Sequence, residues 1–415
     1  MKTRLPSASL FAALGSVVSL GAQALMAVFL LKLFDATAVG QFSVVSQIAF
    51  CWATLALAQS PLSLLAERRT TAHAAASNAW GQSAVRLLWM GPWALLALWW
   101  STRSAGAPHW SALVPWVCGI ATLQMSWLLA QSLTLRQPSP AAVAGVRLLP
   151  PVLAALIAWL GAVVLGQTGS ATLLLSALLG YGAGALWMLP ALRHAASATA
   201  NHPLDLATAT APGPGDARST RLKLLHTLTD VTVSGLLAVQ WQALYGTAEA
   251  GMLLVLLRVF GFIPALVHSA WAQVVMSQGD EPDRHPGRTS LRMAALACAL
   301  VLLLALAIDT ALRLDWLQAS WQGLLGYLWP LALWQMAASA MAAHAHLPFA
   351  HGRTVRFSQQ CIAMNAAMLA LLLAPMLPWP LLQMGAHPHL LLISGFMALA
   401  LLAQALDHGL HRQSR

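Results

Sequence analysis

Three ionisable side chains lie inside long apolar stretches of this sequence, where a charged group is costly. Arg258 stands in the stretch 251–276, while His226 and Asp230 stand four residues apart in the stretch 223–244. A charge at the centre of a membrane helix costs about 2.5–3.5 kcal/mol on insertion scales, which favours a functional role for each charge kept there. A guanidinium binds phosphate oxygens well. Asp230 with His226 could bind a coupling proton or form a plain structural hydrogen bond.

Uncharged polar side chains continue this pattern along three helix faces, because residues spaced by three or four lie on the same side of a helix. The faces carry His226, Asp230 and Ser234; Gly15, Ser19 and Gln23; and Gly40, Ser43, Gln47, Cys51 and Thr54. We expect them to line a water-accessible cavity and to hydrogen-bond a polar substrate. The predicted substrate-binding residues are Ser19, Gln23, Gln47, Ser234 and Arg258. Faces of small residues also pack helices together, and the sequence leaves that alternative open.

The elements that carry these residues are predicted to be membrane-spanning helices. Of the 415 residues, 59% are hydrophobic and only 8% are charged, which excludes an ordinary water-soluble chain. A helix needs about 20 mainly apolar residues to cross a bilayer. Alternating strand patterns are absent, so each apolar stretch predicts a helix. The twelve predicted spans are 7–31, 40–66, 84–100, 111–134, 141–165, 171–192, 223–244, 251–276, 290–308, 319–346, 357–377 and 387–406.

Lysine and arginine are distributed unevenly between the two sides of these spans. Eighteen of the 22 fall in one alternate set of loops or just inside the adjoining helix ends, whereas Lys32, Arg103 and Arg313 fall in the other set. This positive-inside pattern predicts a multi-pass protein of the inner membrane with both termini in the cytoplasm. The net charge of +10 is spread over every cytoplasmic segment. We therefore expect contact with membrane lipids and none with nucleic acid.

Two features near helix ends have ordinary explanations. Three arginines lie just inside predicted helix ends, from which their guanidinium groups can extend to the headgroup region; they are Arg86, Arg147 and Arg292. The sequence Ala22-Gln23-Ala24 imitates a signal cleavage site, but the apolar run continues to Leu31. A retained first helix is therefore predicted.

No residue pattern predicts covalent chemistry, a cofactor or a metal site. The four cysteines occupy separate spans without metal-ligand spacing; they are Cys51, Cys118, Cys298 and Cys361. The chain has no Walker loop and no nucleophile elbow, so we predict that it is not an enzyme. The segment Gly180-Tyr-Gly-Ala-Gly184 superficially resembles a nucleotide-binding loop. It lies inside a span, however, where it predicts close helix packing.

A polar stretch divides the spans into two sets of six. Residues 193–222 predict a flexible cytoplasmic linker between an N-terminal lobe, 1–192, and a C-terminal lobe, 223–415. Residues 33–40 match residues 244–251 at an offset of 211, and six helices in each half give both copies the same orientation. This predicts two pseudo-symmetric lobes related as a parallel repeat, with chance similarity of two short turns as the alternative.

Three short segments carry a family resemblance. They are Gly15-Ser-Val-Val-Ser-Leu-Gly-Ala-Gln23, Phe34-Asp-Ala-Thr-Ala-Val-Gly-Gln-Phe42 and Glu249-Ala-Gly251-Met-Leu-Leu-Val-Leu-Leu-Arg258-Val259. They resemble the multidrug/oligosaccharidyl-lipid/polysaccharide (MOP) exporter superfamily, and most closely the Wzx-type O-antigen flippases. The chain departs from that pattern at Met252 and Leu253, where an aromatic residue is common. The resemblance implies an all-α bundle of twelve transmembrane helices in two six-helix lobes.

The resemblance also implies a function. A protein of this type moves undecaprenyl-pyrophosphate-linked oligosaccharide outward across the bacterial inner membrane by alternating access, for lipopolysaccharide O-antigen or exopolysaccharide. Arg258 would contact the pyrophosphate, and Gln23, Gln47 and Ser234 would hydrogen-bond the sugars. Asp230 and His226 are the candidates for ion coupling. The implied partners are the lipid-linked oligosaccharide, a glycan polymerase and a chain-length regulator, and the chain itself is expected to be a monomer.

Two other functions remain open from the sequence. A multidrug and cation antiporter of the same fold would favour acidic cavity residues. Asp230 is the one acid on the predicted cavity face, and Arg258 opposes it, which favours an anionic substrate. A membrane-embedded glycan polymerase or ligase would need a sizeable outer loop with catalytic groups, whereas the outer loops here are short.

Overall fold

The chain is helical throughout the part that the structure describes. The computed structural model describes residues 7–58, 60–66, 70–103, 109–136, 139–198, 217–268, 286–350, 353–379 and 383–410, and no strand occurs in them. The helices before the predicted linker are α1 (Ser7–Leu33), α2 (Ala36–Leu57), α3 (Ser60–Ala66), α4 (Ala72–Ser101), α5 (Trp110–Arg136), α6 (Pro140–Trp159), α7 (Ser170–Ala185) and α8 (Leu189–Ala198). Those after it are α9 (Ala217–Tyr245), α10 (Thr247–Leu266), α11 (Pro286–Arg313), α12 (Leu325–His344), α13 (Leu347–Ala350), α14 (Thr354–Leu373) and α15 (Ala386–Leu410).

Nine helical segments among the described residues are long and apolar enough to cross a membrane. They are Ala36–Leu57, Trp110–Arg136, Ala141–Val164, Ser170–Arg193, Arg221–Tyr245, Thr247–Leu266, Thr289–Arg313, Thr354–Met376 and Ala386–His408. The three remaining predicted spans correspond to α1, α4 and α12. Helices satisfy their own backbone polar groups in lipid, which explains this architecture. The predicted all-α, polytopic membrane fold is confirmed.

A sharp turn precedes the second span of each sequence half, and local chemistry explains both turns. Asp35 precedes α2 in an extended conformation, and its carboxylate caps the helix by accepting a hydrogen bond from Ala38 N at 2.7 Å. Gly246 stands at the equivalent position before α10 with a φ of 96°, which glycine adopts without strain. The two helices begin at Ala36 and Thr247, so their starts keep the offset of 211 residues found in the sequence.

The chain separates into two compact units. Unit 1 comprises residues 1–212 with Ser234–Thr247, and unit 2 comprises Gly213–Val233 with Ala248–Arg415. The first part of α9 therefore belongs to unit 2 and its last part to unit 1. The two predicted lobes place the whole of α9 in the second lobe, and that division stays a prediction.

Unit 2 is built around α12, which packs against α11 and α15. Small buried side chains allow the close approach of these helices. Ala294 and Ala297 of α11 form one buried cluster with Ala343 of α12 and with Val267, which follows α10.

In unit 1, α7 packs closely on α5 and α6 through two glycines. A Cβ atom on Gly180 would lie 2.7 Å from Pro150 O of α6, and one on Gly184 would lie 2.3 Å from Trp127 Cδ1 of α5. The indole is held in place because Trp127 Nε1 donates to Val146 O at 2.7 Å. The glycine segment therefore packs helices, as the sequence predicted.

Replacing Gly184 with alanine should destabilise unit 1, because the new methyl group has no room beside the Trp127 ring. Overpacking of this kind costs typically about 1–3 kcal/mol, so we expect a lower midpoint of thermal unfolding in detergent. Gly81→Ala in α4 is the matched control, since a Cβ atom there meets nothing within 4 Å. Equal midpoints for the two variants would show that α7 does not pack as described.

An arginine secures the break between α2 and α3. α2 ends before Ala58, whose φ of 46° lies in the left-handed region. Arg86 Nη1 of α4 lies 3.1 Å from Ser60 Oγ and 3.5 Å from Leu57 O. The guanidinium thus faces the negative end of the α2 dipole. The sequence predicted that Arg86 extends to the headgroup region, whereas in the structure it caps a helix.

We expect Arg86→Ala to lower the free energy of unfolding by about 1–3 kcal/mol, because the change leaves the groups around the α2 break without their charged donor. Urea or thermal unfolding in detergent measures this effect. The control is Arg292→Ala near the start of α11, since Arg292 is exposed and forms no hydrogen bond with other described residues. A control variant as unstable as Arg86→Ala would remove the capping role.

Candidate functional site

The predicted polar faces of α2 and α9 meet in unit 1. Gln47 Nε2 of α2 donates to Ser234 Oγ of α9 at 3.4 Å and to Cys51 Sγ at 3.6 Å. The helices approach closely there, since a Cβ atom on Gly235 would lie 2.7 Å from Cys51 Sγ. Two predicted substrate-binding residues are therefore neighbours, and both are half-buried.

The side-chain oxygen of Gln47 is able to accept a further hydrogen bond. This oxygen is not buried, and it accepts no hydrogen bond from the residues that the structure describes. A carboxamide whose oxygen is open can accept a hydrogen bond from a sugar hydroxyl. The same amide holds α2 against α9 through Ser234, so a packing role and a binding role are compatible at this position.

The other two uncharged candidates lie apart from this pair. Gln23 Nε2 of α1 donates to Ser19 Oγ one turn away at 3.2 Å, and Gln23 is exposed. No hydrogen bond among the described residues joins either of them to Gln47 or Ser234, and α1 packs against α6. The structure thus brings together two of the four uncharged candidates.

The two predicted coupling residues lie on the part of α9 that belongs to unit 2. Asp230 is exposed and His226 is half-buried, and their charges interact across one helical turn. The His226 ring meets the Phe357 ring of α14 edge-on, with ring centroids 5.8 Å apart. Asp230 also interacts electrostatically with Cys361 of α14. The pair therefore stands where α9 meets α14.

Asn365 is a residue of this site that sequence reasoning missed. It is 4% exposed on α14, and its Nδ2 donates to Thr229 Oγ1 at 3.3 Å. Thr229 in turn donates to the His226 carbonyl at 2.9 Å and directly precedes Asp230. The sequence could have identified it by residue type, because Asn365 is the one asparagine within the twelve predicted spans.

These groups can bind a small cation or a proton, because carboxylate, amide and hydroxyl oxygens are ligands that hard cations prefer. Among the residues that the structure describes, no group of three or more His, Cys, Asp or Glu side chains is arranged to hold a metal ion. A transition-metal centre therefore has no ligand set in that part of the chain.

Arg258 lies near the middle of α10. It follows the first residue of the helix, Thr247, by eleven positions, which is about 16 Å along the axis. The hydrocarbon core of a bilayer is about 30 Å thick, so a membrane-crossing α10 would hold Arg258 close to the midplane. Its side chain is half-buried. The sequence predicted a start at 251, which placed Arg258 nearer the outer surface.

Asp230 and Arg258 lie at different distances from the turn that joins their two helices. Asp230 precedes the end of α9 at Tyr245 by fifteen positions, about 22 Å along the axis. Arg258 lies about 16 Å from the adjoining start of α10. The two helices are joined by the single residue Gly246, and that the two charges lie at different membrane depths stays a prediction.

Comparison with known proteins supports the fold. No family model and no curated protein matches the sequence. A solved structure described as the lipid II flippase MurJ in an inward closed conformation is similar at a TM-score of 0.58 and 10% identity, over 96% of this chain and 86% of that one. A likeness at this identity establishes the fold alone, so the chain has the fold of MurJ.

Two weaker likenesses concern structures described as MATE proteins. An inward-facing multidrug resistance MATE family transporter of the MOP superfamily has a TM-score of 0.42 and 10% identity, over 97% of this chain and 94% of that one. A crystal structure of MATE in complex with MaL6 has a TM-score of 0.47 and 12% identity, over 97% and 95%.

Proposed function

We propose that this chain is a flippase that carries undecaprenyl-pyrophosphate-linked oligosaccharide outward across the bacterial inner membrane by alternating access. The observation that carries the proposal is Arg258, which is half-buried near the midplane in a chain with the fold of a lipid II flippase. A guanidinium binds phosphate oxygens through paired, charged hydrogen bonds, and a charge kept inside a membrane helix favours a functional role, so Arg258 is the candidate to bind the pyrophosphate. The similar solved structure is described as a lipid II flippase, which supports a lipid-linked substrate.

The residues of the site take distinct roles in this proposal. Arg258 binds the pyrophosphate, while the polyprenyl tail stays in the bilayer. Gln47 and Ser234 hydrogen-bond the sugars, the first through its open oxygen. Ser19 and Gln23 of α1 add further hydrogen bonds at another point of the path. No covalent step is involved, so the protein only needs to lower the barrier to crossing.

Ion coupling is assigned to Asp230 and His226, with Asn365 and Thr229 beside them. The carboxylate is exposed, so an ion or a proton can reach it, and Asn365 ties α14 to the adjacent turn of α9. Binding and release of a charge there would bias the equilibrium between inward and outward states. The exposed carboxylate also supports the second candidate function, a multidrug and cation antiporter.

Proteoliposomes that contain the purified protein test the proposal. A fluorescent undecaprenyl-pyrophosphate-linked oligosaccharide is placed in the membrane, and a membrane-impermeant quencher reports the fraction in the outer leaflet. We expect the protein to equilibrate the labelled lipid between leaflets much faster than empty liposomes do. Uptake of a cationic dye, with no movement of the labelled lipid, would favour the antiporter instead.

A further inference from the structure

A basic cluster at the predicted cytoplasmic end of unit 2 has features that membrane topology alone does not require. The cluster comprises Arg353 and Arg356 at the start of α14, Asp407 and His408 in the last turn of α15, and His344 at the end of α12. Arg353 is the residue that precedes α14, and its side chain makes no capping hydrogen bond. The first backbone N–H groups of α14 and the positive end of its dipole therefore face this cluster.

Asp407 is the acid of the cluster, and both of its oxygens are already engaged. Arg356 Nη2 donates to Asp407 Oδ1 at 2.9 Å, and Gln360 Nε2 donates to Oδ2 at 3.0 Å. The Arg353 side chain forms no hydrogen bond or ion pair within the described part of the chain. One guanidinium is thus left without a counter-charge beside an uncapped helix start.

His408 is an independent indication of a ligand. It is only 6% exposed, and its Nε2 atom is buried without a hydrogen-bond partner among the residues the structure describes. Its ring lies 5.7 Å from the ring of Phe357 in the first turn of α14. It interacts electrostatically with Arg353, Arg356 and His344 as well as with Asp407. A buried imidazole nitrogen of this kind normally has a partner.

Loop charges that serve only to orient a membrane protein need no fixed geometry. Here, guanidinium groups, an imidazole and a helix N-terminus from three helices converge on one place. Helix N-termini bind phosphate through backbone N–H groups, and arginine adds paired charged donors. A phosphate group accepts hydrogen bonds from both kinds of donor and also offsets their positive charge, which an uncharged ligand cannot do.

We propose that this cluster binds a phosphate group, presented by an anionic lipid at the membrane surface. Arg353 supplies the unpaired guanidinium, the start of α14 supplies backbone donors, and Arg356 shifts part of its donor set from Asp407 to the lipid. The site does not depend on the transport function proposed above. Its effect is to anchor the α14–α15 end of unit 2 at the headgroup level.

Thermal unfolding of the full-length protein in detergent tests the site. The probes are phosphatidylglycerol, phosphatidylcholine and inorganic phosphate, each added separately. We expect phosphatidylglycerol at saturating excess to raise the Tm of the wild type by about 3 °C more than phosphatidylcholine does. Arg353→Gln and the double variant with Arg356→Gln should lose at least half of that difference.

Arg313→Gln is the matched control, because Arg313 is also paired with an aspartate, Asp309 at 2.7 Å, but at the end of α11 outside the cluster. It should keep the full lipid-dependent shift. Arg353→Gln alone keeps the test valid if the double variant fails to fold, since it breaks no described hydrogen bond or ion pair. An equal shift with inorganic phosphate would identify a soluble phosphate as the natural source.

The proposal fails if phosphatidylglycerol and phosphatidylcholine shift the wild type equally and phosphate has no effect. It also fails if Arg353→Gln retains the full shift. In either case the basic residues would serve membrane orientation only.

Discussion

Replacing Arg258 with alanine should reduce the rate of lipid-linked oligosaccharide flipping at least tenfold, while the protein stays folded in the membrane. The proposal places the guanidinium near the midplane. Water competes only weakly there with the charge-assisted hydrogen bonds between the guanidinium and a pyrophosphate. A hydrogen bond to a charged group contributes about 1.5–3 kcal/mol, and each 1.4 kcal/mol is a factor of ten in rate. The proteoliposome quenching assay measures this rate directly.

Two further variants make the Arg258 experiment specific. Arg258→Lys keeps the charge but loses the planar, forked donor set, so we expect an intermediate rate. Arg313→Ala removes an exposed arginine that is paired with Asp309 on α11, and it should flip substrate as the wild type does. A wild-type rate for Arg258→Ala at equal protein levels would remove the phosphate-binding role.

Replacing Asp230 with asparagine should abolish the response of flipping to an imposed ion gradient. Asparagine fills the same space but carries no charge to neutralise, so ion binding would no longer bias the conformational equilibrium. A single charge that moves through 100 mV supplies about 2.3 kcal/mol, which corresponds to a bias of roughly 50-fold. The measurement is the ratio of flipping rates with and without a proton or sodium gradient. We expect a ratio near one for the variant.

The coupling experiment has its own internal comparisons. Asp230→Glu restores a carboxylate and should recover part of the gradient response. Asn365→Ala removes the amide that joins α14 to Thr229, so we expect a weakened response with an unchanged rate in the absence of a gradient. Asp309→Asn on α11 should leave the response intact. If Asp230→Asn responds like the wild type, the coupling group lies elsewhere.

Much of the fold could be predicted because it depends on local composition. Long apolar stretches fix the helices, and Asp35 and Gly246 fix the turns before α2 and α10 through capping and a positive φ. The packing role of Gly180 and Gly184 also followed from their position inside a span. Each of these conclusions needs only a few neighbouring residues.

Other features could not be predicted because they depend on partners far along the chain. Arg86, which is 28 residues away, stabilises the break of α2 at Ala58. The residues around Ala58 do not predict that break. Asn365 joins the coupling site only through Thr229, which lies 136 residues earlier. Arg258 lies further from the helix start than the sequence predicted, because α10 begins at Thr247, before the apolar run at residue 251.

The site itself was predicted unevenly, for the same reason. Helical spacing placed Gln47 and Ser234 on polar faces, and the structure shows them within hydrogen-bond distance. The same spacing placed Gln23 and Ser19 on a polar face of α1, yet they pair with each other. A helical repeat identifies which residues share a face, but it does not identify which helix that face meets.

The most direct test of the central claim uses two fluorescent lipids that differ in one feature. Both carry the same oligosaccharide on an undecaprenyl chain, one through pyrophosphate and the other through an uncharged ether linker. The wild type should flip the pyrophosphate lipid at least tenfold faster, and Arg258→Ala should lose that preference while it retains slow movement of both. Equal rates for the two lipids in the wild type would contradict the account, because the intramembrane guanidinium would then have no phosphate to recognise.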